Sequence, residues 1–171
     1  MNIWSHTPIA HCRQCGSPVR YRLPDDGDNR QRAICTQCHT VHYENPINVV
    51  GTVPYWGAQG EQVLLCRRNI EPRKGLWTLP AGFMELGEST AEGAARETIE
   101  EAGAVFTLGP LFSMLNVVKV GQVHMYYLAA LSHTDFDPGP ETMETRLFSE
   151  AEVPWDEIAF RTVWLTLKCY F

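Results

Sequence analysis

The chain has 171 residues, of which 44% are hydrophobic and 20% charged, and its formal net charge is −6. That is core material for one ordinary domain plus a small module, and the acidic balance excludes broad nucleic-acid or membrane-surface binding. No apolar run approaches membrane-spanning length, and the opening MNIWSHTPIAHC lacks the charged-then-apolar order of a secretory signal, so the expected location is a reducing cytoplasm.

Cysteine spacing organises the N-terminal part. Cys12 and Cys15 form one C-x2-C pair, and Cys35 and Cys38 form a second. Two such pairs offer four sulfurs to one tetrahedral ion, which is the pattern of a structural zinc site. Residues 19–23 and 30–34 read as short strands around the turn-forming PDDGD of residues 24–28. The reading is a zinc ribbon over residues 1–45, too small to fold on apolar burial without its metal. Four sulfurs complete the tetrahedron, so His11, His39 and His42 are read as surface or supporting residues. Cys66 and Cys169 stand in apolar contexts (VLLCRR and LKCYF) and are expected to be buried free thiols.

Tyr43-Glu44-Asn45-Pro46 joins the ribbon to a second domain over residues 46–171, and Pro46 disfavours helix before it. Residues 47–55 and 62–67 read as a β-hairpin closed by the turn at 57–60. Arg67, Arg68, Arg73 and Lys74 follow; a phosphate-binding loop and a solvated basic loop are both open readings. Next comes LWTLPAG (residues 76–82), and then GFMELGESTAEGAARETIEEAGA.

Within that stretch Ser89 and Glu92 make a capping box and Gly103 is placed to end a helix in a left-handed conformation. Ala91, Ala94, Ala95, Thr98 and Ala102 fall on one small face suited to a sheet. Glu97, Glu100 and Glu101, at i, i+3 and i+4, converge on another. Like charges so placed cost about 0.2–0.5 kcal/mol per pair even on an exposed helix. A cation should offset them, and hard carboxylate oxygens suit Mg2+ or Mn2+. Glu97 and Glu101 are the first choice of ligands, with Glu100 beside them.

After the helix, residues 111–120 and 123–131 read as strands, the second apolar enough to be internal to a sheet. The DFDPGP loop (residues 135–140) leads to Glu141, Glu144 and a short strand at 146–148. Residues 155–170 carry apolar side chains at helical spacing and are expected to form an amphipathic helix packed on the sheet. Trp56, Tyr126, Tyr127 and Phe136 are candidate stacking partners for a base, with core packing the equal alternative.

The box reads G-x5-E-x7-R-E-U-x-E-E-x-G-U, with Gly82, Glu88, Arg96, Glu97, Glu100, Glu101 and Gly103 at the defined positions. It resembles the Nudix box of hydrolases that cleave a nucleoside diphosphate linked to another group. One apolar position departs, since Thr98 stands where Leu, Ile or Val is usual. The resemblance implies an α/β fold, a Nudix α/β/α sandwich with a mixed sheet, here preceded by a small β zinc ribbon. It further implies that the Ala81 carbonyl joins Glu97 and Glu101 around Mg2+, that Glu88 and Arg96 brace Glu97, and that a glutamate after the box serves as general base. Glu141 is the first choice for that base and Glu144 the second, with Glu97 and Glu100 also open. The ribbon, the Y-E-N-P joint and the PGPE segment together resemble the zinc-ribbon Nudix group, most closely its plant plastid FAD and ADP-ribose pyrophosphatase type. The NADH pyrophosphatases of that group carry S-Q-P-W-P-F-P-x-S after the box, and this chain does not. FAD or ADP-ribose is therefore the expected substrate, with NADH, coenzyme A or an oxidised nucleoside triphosphate as alternatives. A homodimer is implied by resemblance alone. The competing reading is a non-catalytic regulator that binds nucleic acid or protein through the ribbon.

Overall fold

The structure, a computed structural model, describes residues 7–171. The first six residues, on which half of the signal-sequence reading falls, lie outside the described residues. The chain separates into two units, Met1–Pro46 and Ile47–Phe171.

In the first unit β1 (Val19–Arg22), β2 (Arg32–Cys35) and β3 (Val41–His42) form an antiparallel sheet in that order. β2 begins two residues later than the sequence implies, because Asp28 accepts from the Arg30 N–H and pairs with Arg32 Nε at 2.7 Å, which keeps residues 28–30 in the turn. β3 has two residues and no readable periodicity. The buried set of this unit, Cys12, Pro24, Ala33, Ile34, Cys35 and His42, is too small to hold a fold by apolar burial.

The second unit is built on a seven-stranded mixed sheet. Its strands are β4 (Ile47–Trp56), β5 (Gln62–Arg68), β6 (Trp77–Thr78), β7 (Ala81–Phe83), β8 (Phe106–Val117), β9 (Gln122–Leu131) and β10 (Thr142–Ser149). The order is β10-β5-β4-β9-β8, with β6 added to β5 and β7 to β4. β4 and β9 run parallel over nine residue pairs, and the other pairs are antiparallel. The expected hairpin of β4 and β5 exists only at its tip, where Tyr55 and Trp56 pair with Val63 and Gln62. Beyond that the strands part, β7 takes the free edge of β4, and β6 takes that of β5. The divergence opens the sheet at the start of the glutamate box.

The helices α1 (Thr90–Ala102) and α2 (Arg161–Tyr170) pack on opposite faces. Thr52 meets Thr98 of α1, whereas its neighbour Val53 belongs to the core that contains Val163 and Leu167 of α2. Alternate residues of a strand face opposite ways, so this one pair fixes the layers. α2 starts at Arg161 rather than 155. Residues 155–157 form a single 3-10 turn, then Ile158 bridges to Trp77 and the Ala159 N–H donates to the Trp77 carbonyl at 2.8 Å. That extended segment cannot also be helical. β8 begins at Phe106, ahead of the expected 111, and gives way to a 3-10 turn at Val118–Val120; β10 is longer than the expected 146–148. Cys66 is buried as expected, but Cys169 is exposed on the outer side of α2. Among the described residues, no helix is long and apolar enough to cross a membrane.

Candidate active site

Helix α1 carries the site and its ends are fixed as the sequence implies. Ser89 Oγ accepts from the Glu92 N–H, and a Glu92 carboxylate oxygen accepts from the Ser89 N–H at 2.8 Å. Gly103 has φ 59°, and its N–H donates to the Ile99 carbonyl. The Asp137 backbone occupies the space that a Cβ at Gly103 would fill.

The buried side of α1 consists of Gly93, Ala94, Glu97, Thr98, Glu101 and Ala102. The small face is therefore narrower than expected, with Ala91 and Ala95 only half-buried, and two of the glutamates are drawn into it. Thr98, the departure from the box pattern, is explained by its partner. Its hydroxyl donates to the Ala94 carbonyl at 2.8 Å and lies 2.7 Å from the Thr52 hydroxyl, with both residues fully buried.

Arg96 holds the carboxylates in place. It contacts both oxygens of Glu88 at 2.9 and 3.0 Å, Glu97 Oε1 at 2.7 Å, Glu100 Oε2 at 3.1 Å and the Phe83 carbonyl at 3.1 Å. Arg96 and the Glu85 N–H pull the Glu88 carboxyl down to about 2. Glu97 moves the other way: burial raises it despite Arg96 beside it. A Cβ on Gly82 would run into the Glu97 carboxylate, so only glycine fits there.

Glu101 is displaced upward. Burial pushes it up to about 7, and neighbouring Glu97 adds to the rise; the Ala81 N–H, donating to its Oε2 at 3.0 Å, opposes it. Two further charges reach Glu101. Arg68 lowers its value and Glu141 raises it. Arg68 is 9% exposed, donates from Nε to the Pro72 carbonyl at 2.9 Å, and lies 5.1 Å over the Phe160 ring. Arg67, one residue earlier, turns to the Gly75 carbonyl and to Glu144 at 3.6 Å. Alternation along β5 thus selects Arg68 from the basic run and leaves Glu144 in a cross-strand pair. Glu141 is exposed in the turn just before β10, and its carbonyl accepts from the Asn69 N–H at 2.7 Å. Phe160 was not foreseen, because a ring on an irregular segment leaves no periodicity to read.

The four stacking candidates are engaged by the protein itself. Tyr126 is 2% exposed, Trp56 and Phe136 pack on the core under α1, and the Tyr127 hydroxyl lies 2.6 Å from that of Thr90.

Among the described residues, the four ribbon cysteines are the one group of His, Cys, Asp or Glu ligand atoms lying within 4.8 Å of one another. Sulfurs of Cys12 and Cys38, Cys15 and Cys35, and Cys15 and Cys38 are 3.6, 3.4 and 3.5 Å apart. A tetrahedral ion with sulfur ligands at about 2.3 Å needs separations of about 3.8 Å, so the set fits zinc in a structural site. His42 Nε2 lies 3.3 Å from Cys12 Sγ, in a supporting place rather than a fifth ligand's. The carboxylates fit a different ion. Glu97 and Glu101 are buried acids with too little positive charge around them, and their donors are hard oxygens suited to Mg2+ or Mn2+.

A four-sulfur ribbon followed by a mixed sheet and a braced glutamate helix defines a zinc-ribbon Nudix architecture. Residues 10–44 match the Nudix N-terminal zinc-ribbon family and residues 46–166 the NUDIX domain family. The chain belongs to the NUDIX domain family. The NAD-capped RNA hydrolase NudC of Vibrio cholerae is 34% identical over 134 residues, covering 77% of this chain and 44% of that protein. NudC of Vibrio parahaemolyticus is 35% identical over 150 residues, 85% of this chain and 53% of that one. The chain thus spans about half the length of these curated relatives. The crystal structure of a NUDIX hydrolase from Nitrosomonas europaea superposes with TM-score 0.87 and 48% identity, covering 95% of this chain and 90% of that chain. The NUDIX domain of Shewanella oneidensis NrtR complexed with ADP ribose shares the fold, with TM-score 0.60 and 21% identity over 75% of this chain and 88% of that one.

Proposed function

We propose that this chain hydrolyses the diphosphate linkage of a nucleoside diphosphate derivative with Mg2+ or Mn2+, and that FAD and ADP-ribose are its first substrates. The observation that carries the reading is the buried pair Glu97 and Glu101, each with one oxygen committed and one left over. Arg96 takes Glu97 Oε1 and the Ala81 N–H takes Glu101 Oε2. The remaining oxygens, with the Ala81 carbonyl, are the ligands for a divalent cation. That cation supplies the positive charge that offsets repulsion between the diphosphate and attacking water. Glu88 and Arg96 keep Glu97 in position. Arg68 is the cation that meets the substrate's phosphate, and Glu141 takes the proton from the attacking water. A new phosphorus–oxygen bond forms to that water, the bridging bond breaks, and two phosphomonoesters leave.

The FAD and ADP-ribose assignment rests on the Y-E-N-P joint, the PGPE segment and the missing S-Q-P-W-P-F-P-x-S run. A second reading, NADH or an NAD-capped RNA end, is favoured by the NudC relatives, whose activity is named for such RNA. Incubation with Mg2+ and FAD, ADP-ribose, NADH, coenzyme A, dNTPs or NAD-capped RNA, followed by product analysis, separates these. The expected result is AMP from FAD and from ADP-ribose, lost in Glu101→Gln. If wild type and Glu101→Gln are equally inactive on every compound while the chain shifts an RNA or DNA probe, the enzyme reading fails and the regulator stands.

A further inference from the structure

The sheet face opposite α1 holds a polar cluster that the proposed hydrolytic chemistry does not use. Gln122, His124 and Tyr126 alternate along β9 on this face, because Tyr126 packs in the α2 core. His124 is half-buried, and both its ring nitrogens are engaged. Nε2 lies 3.0 Å from the Gln122 side-chain oxygen and Nδ1 lies 2.9 Å from the Thr162 hydroxyl at the start of α2. The His124 ring also meets the Tyr126 ring edge-on at 6.5 Å. Gln122 is only 8% exposed. Whichever way its amide is turned, one end is held by His124. The other end makes no side-chain hydrogen bond among the described residues. That end opens to solvent, since among the described residues no buried side-chain nitrogen or oxygen lacks a partner, and an open amide end can meet a ligand that offers a donor or an acceptor.

Strand register places the cluster beside the carboxylate site. Tyr126 pairs with Gly51, which pairs with Ala81; His124 pairs with Val49, which pairs with Phe83. β7 and β9 are two strand spacings apart, about 10 Å, and His124 is one step of the same-face repeat, about 7 Å, along from Tyr126. Those lengths suit a ribose and base reaching from a phosphate held near Ala81. The register also sets the walls. Gly82 faces Glu97 and α1, so Ala81 and Phe83 face the other way, and so do Val49 and Ile47. Phe83 is 43% exposed and Ile47, which pairs with Gln122, is 52% exposed. Two exposed apolar side chains thus rise beside a polar floor.

We infer that Ile47, Phe83, Gln122 and His124 form the subsite for the planar base of the substrate nucleotide, a heteroaromatic ring carrying adjacent donor and acceptor groups, as adenine does. Phe83 and Ile47 supply the apolar contact, the spare half of the Gln122 amide reads the ring edge, and His124, fixed by Thr162, holds that amide in place. His124 is on this account a positioning residue. The inference rests on the diphosphate reading above, and its test separates the two.

AMP without divalent cation is the direct probe, titrated calorimetrically against wild type, Gln122→Leu, His124→Leu and Phe83→Ala, with melting temperatures as a fold check. Phe83 is 43% exposed, and the melting temperature of Phe83→Ala shows directly that the AMP result is read on a folded chain. AMP affinity is expected to fall about tenfold in Phe83→Ala and in Gln122→Leu. In steady-state assays on ADP-ribose the loss appears in KM rather than kcat, and preference for ADP-ribose over a uridine diphosphate sugar shrinks. If folded variants bind AMP as wild type does while ADP-ribose is still cleaved, the subsite is wrong and the hydrolase reading survives. If AMP binds through these residues but no diphosphate is cleaved, the subsite stands and the hydrolase reading fails.

Discussion

Glu101 and Glu88 are displaced in opposite directions, and the sign of each fixes a pH range. Glu101 rises from 4.5 to about 7, chiefly through burial. The folded chain then binds more protons than the unfolded one between those values, so its stability falls as pH rises from about 4.5 to about 7. Glu88 falls from 4.5 to about 2, chiefly through its hydrogen bonds to Arg96. Its contribution is complete above about 4.5 and is lost as pH drops toward 2. Without added Mg2+ or Mn2+, the melting temperature is therefore expected to decline from pH 4.5 to pH 7, and Glu101→Gln should flatten that limb while leaving the acid limb. Glu97 is raised as well, so some slope remains. Equal slopes in wild type and variant would show that burial does not govern this carboxyl. Sequence spacing identified these glutamates as a set but not their inequality, which comes from Ala81, Arg68 and Arg96 reaching each oxygen differently.

At the level of elements, α1 was the most legible part because its caps are local. Ser89, Glu92 and Gly103 act within one turn of their own position. Strand pairing was the least legible. β4 finds its parallel neighbour β9 across more than seventy residues and keeps only two pairs with the adjacent β5. No local pattern encodes such a choice, and the same holds for Trp77, whose backbone draws Ile158 and Ala159 out of the expected helix. The Thr52–Thr98 contact between β4 and α1 shows what long-range partners add. Read alone, Thr98 was a blemish in an apolar row; paired, it is a satisfied hydroxyl in a dry layer. Thr98→Val is expected to strand the Thr52 hydroxyl and destabilise by about 1–3 kcal/mol. Thr52→Val combined with Thr98→Val removes both hydroxyls and should recover most of the loss, a coupling readable from a double-mutant cycle of denaturant midpoints. Additive losses would mean that the hydroxyls do not depend on each other.

For the whole molecule, the two units differ in what holds them. Residues 47–171 contain a core of large side chains, among them Leu64, Leu65, Leu79, Tyr126 and Leu167, each at or below 2% exposed. The ribbon buries little beyond Ala33, Ile34 and its own Cys12 and Cys35, so the sulfur-bound ion must supply most of its folding free energy. The Nudix unit carries its own apolar drive, and the cation proposed for it serves chemistry instead. Chelation by a strong zinc ligand is therefore expected to release one zinc per chain and make residues 7–46 protease-sensitive, with the calorimetric transition of residues 47–171 retained. Restoring Mg2+ alone should not rebuild the ribbon, because oxygen-preferring Mg2+ is a poor match for four thiolates. Cys35→Ser should reproduce the chelated state without chelator, since one lost sulfur opens the tetrahedron. A chain that carries no zinc as purified, or a ribbon that stays protease-resistant in Cys35→Ser, would show that the small core suffices. Loss of the main transition on chelation would show instead that the sulfur site stabilises the Nudix unit as well, so a metal bound for folding at the N-terminus would also be a condition for the chemistry proposed at Glu97 and Glu101.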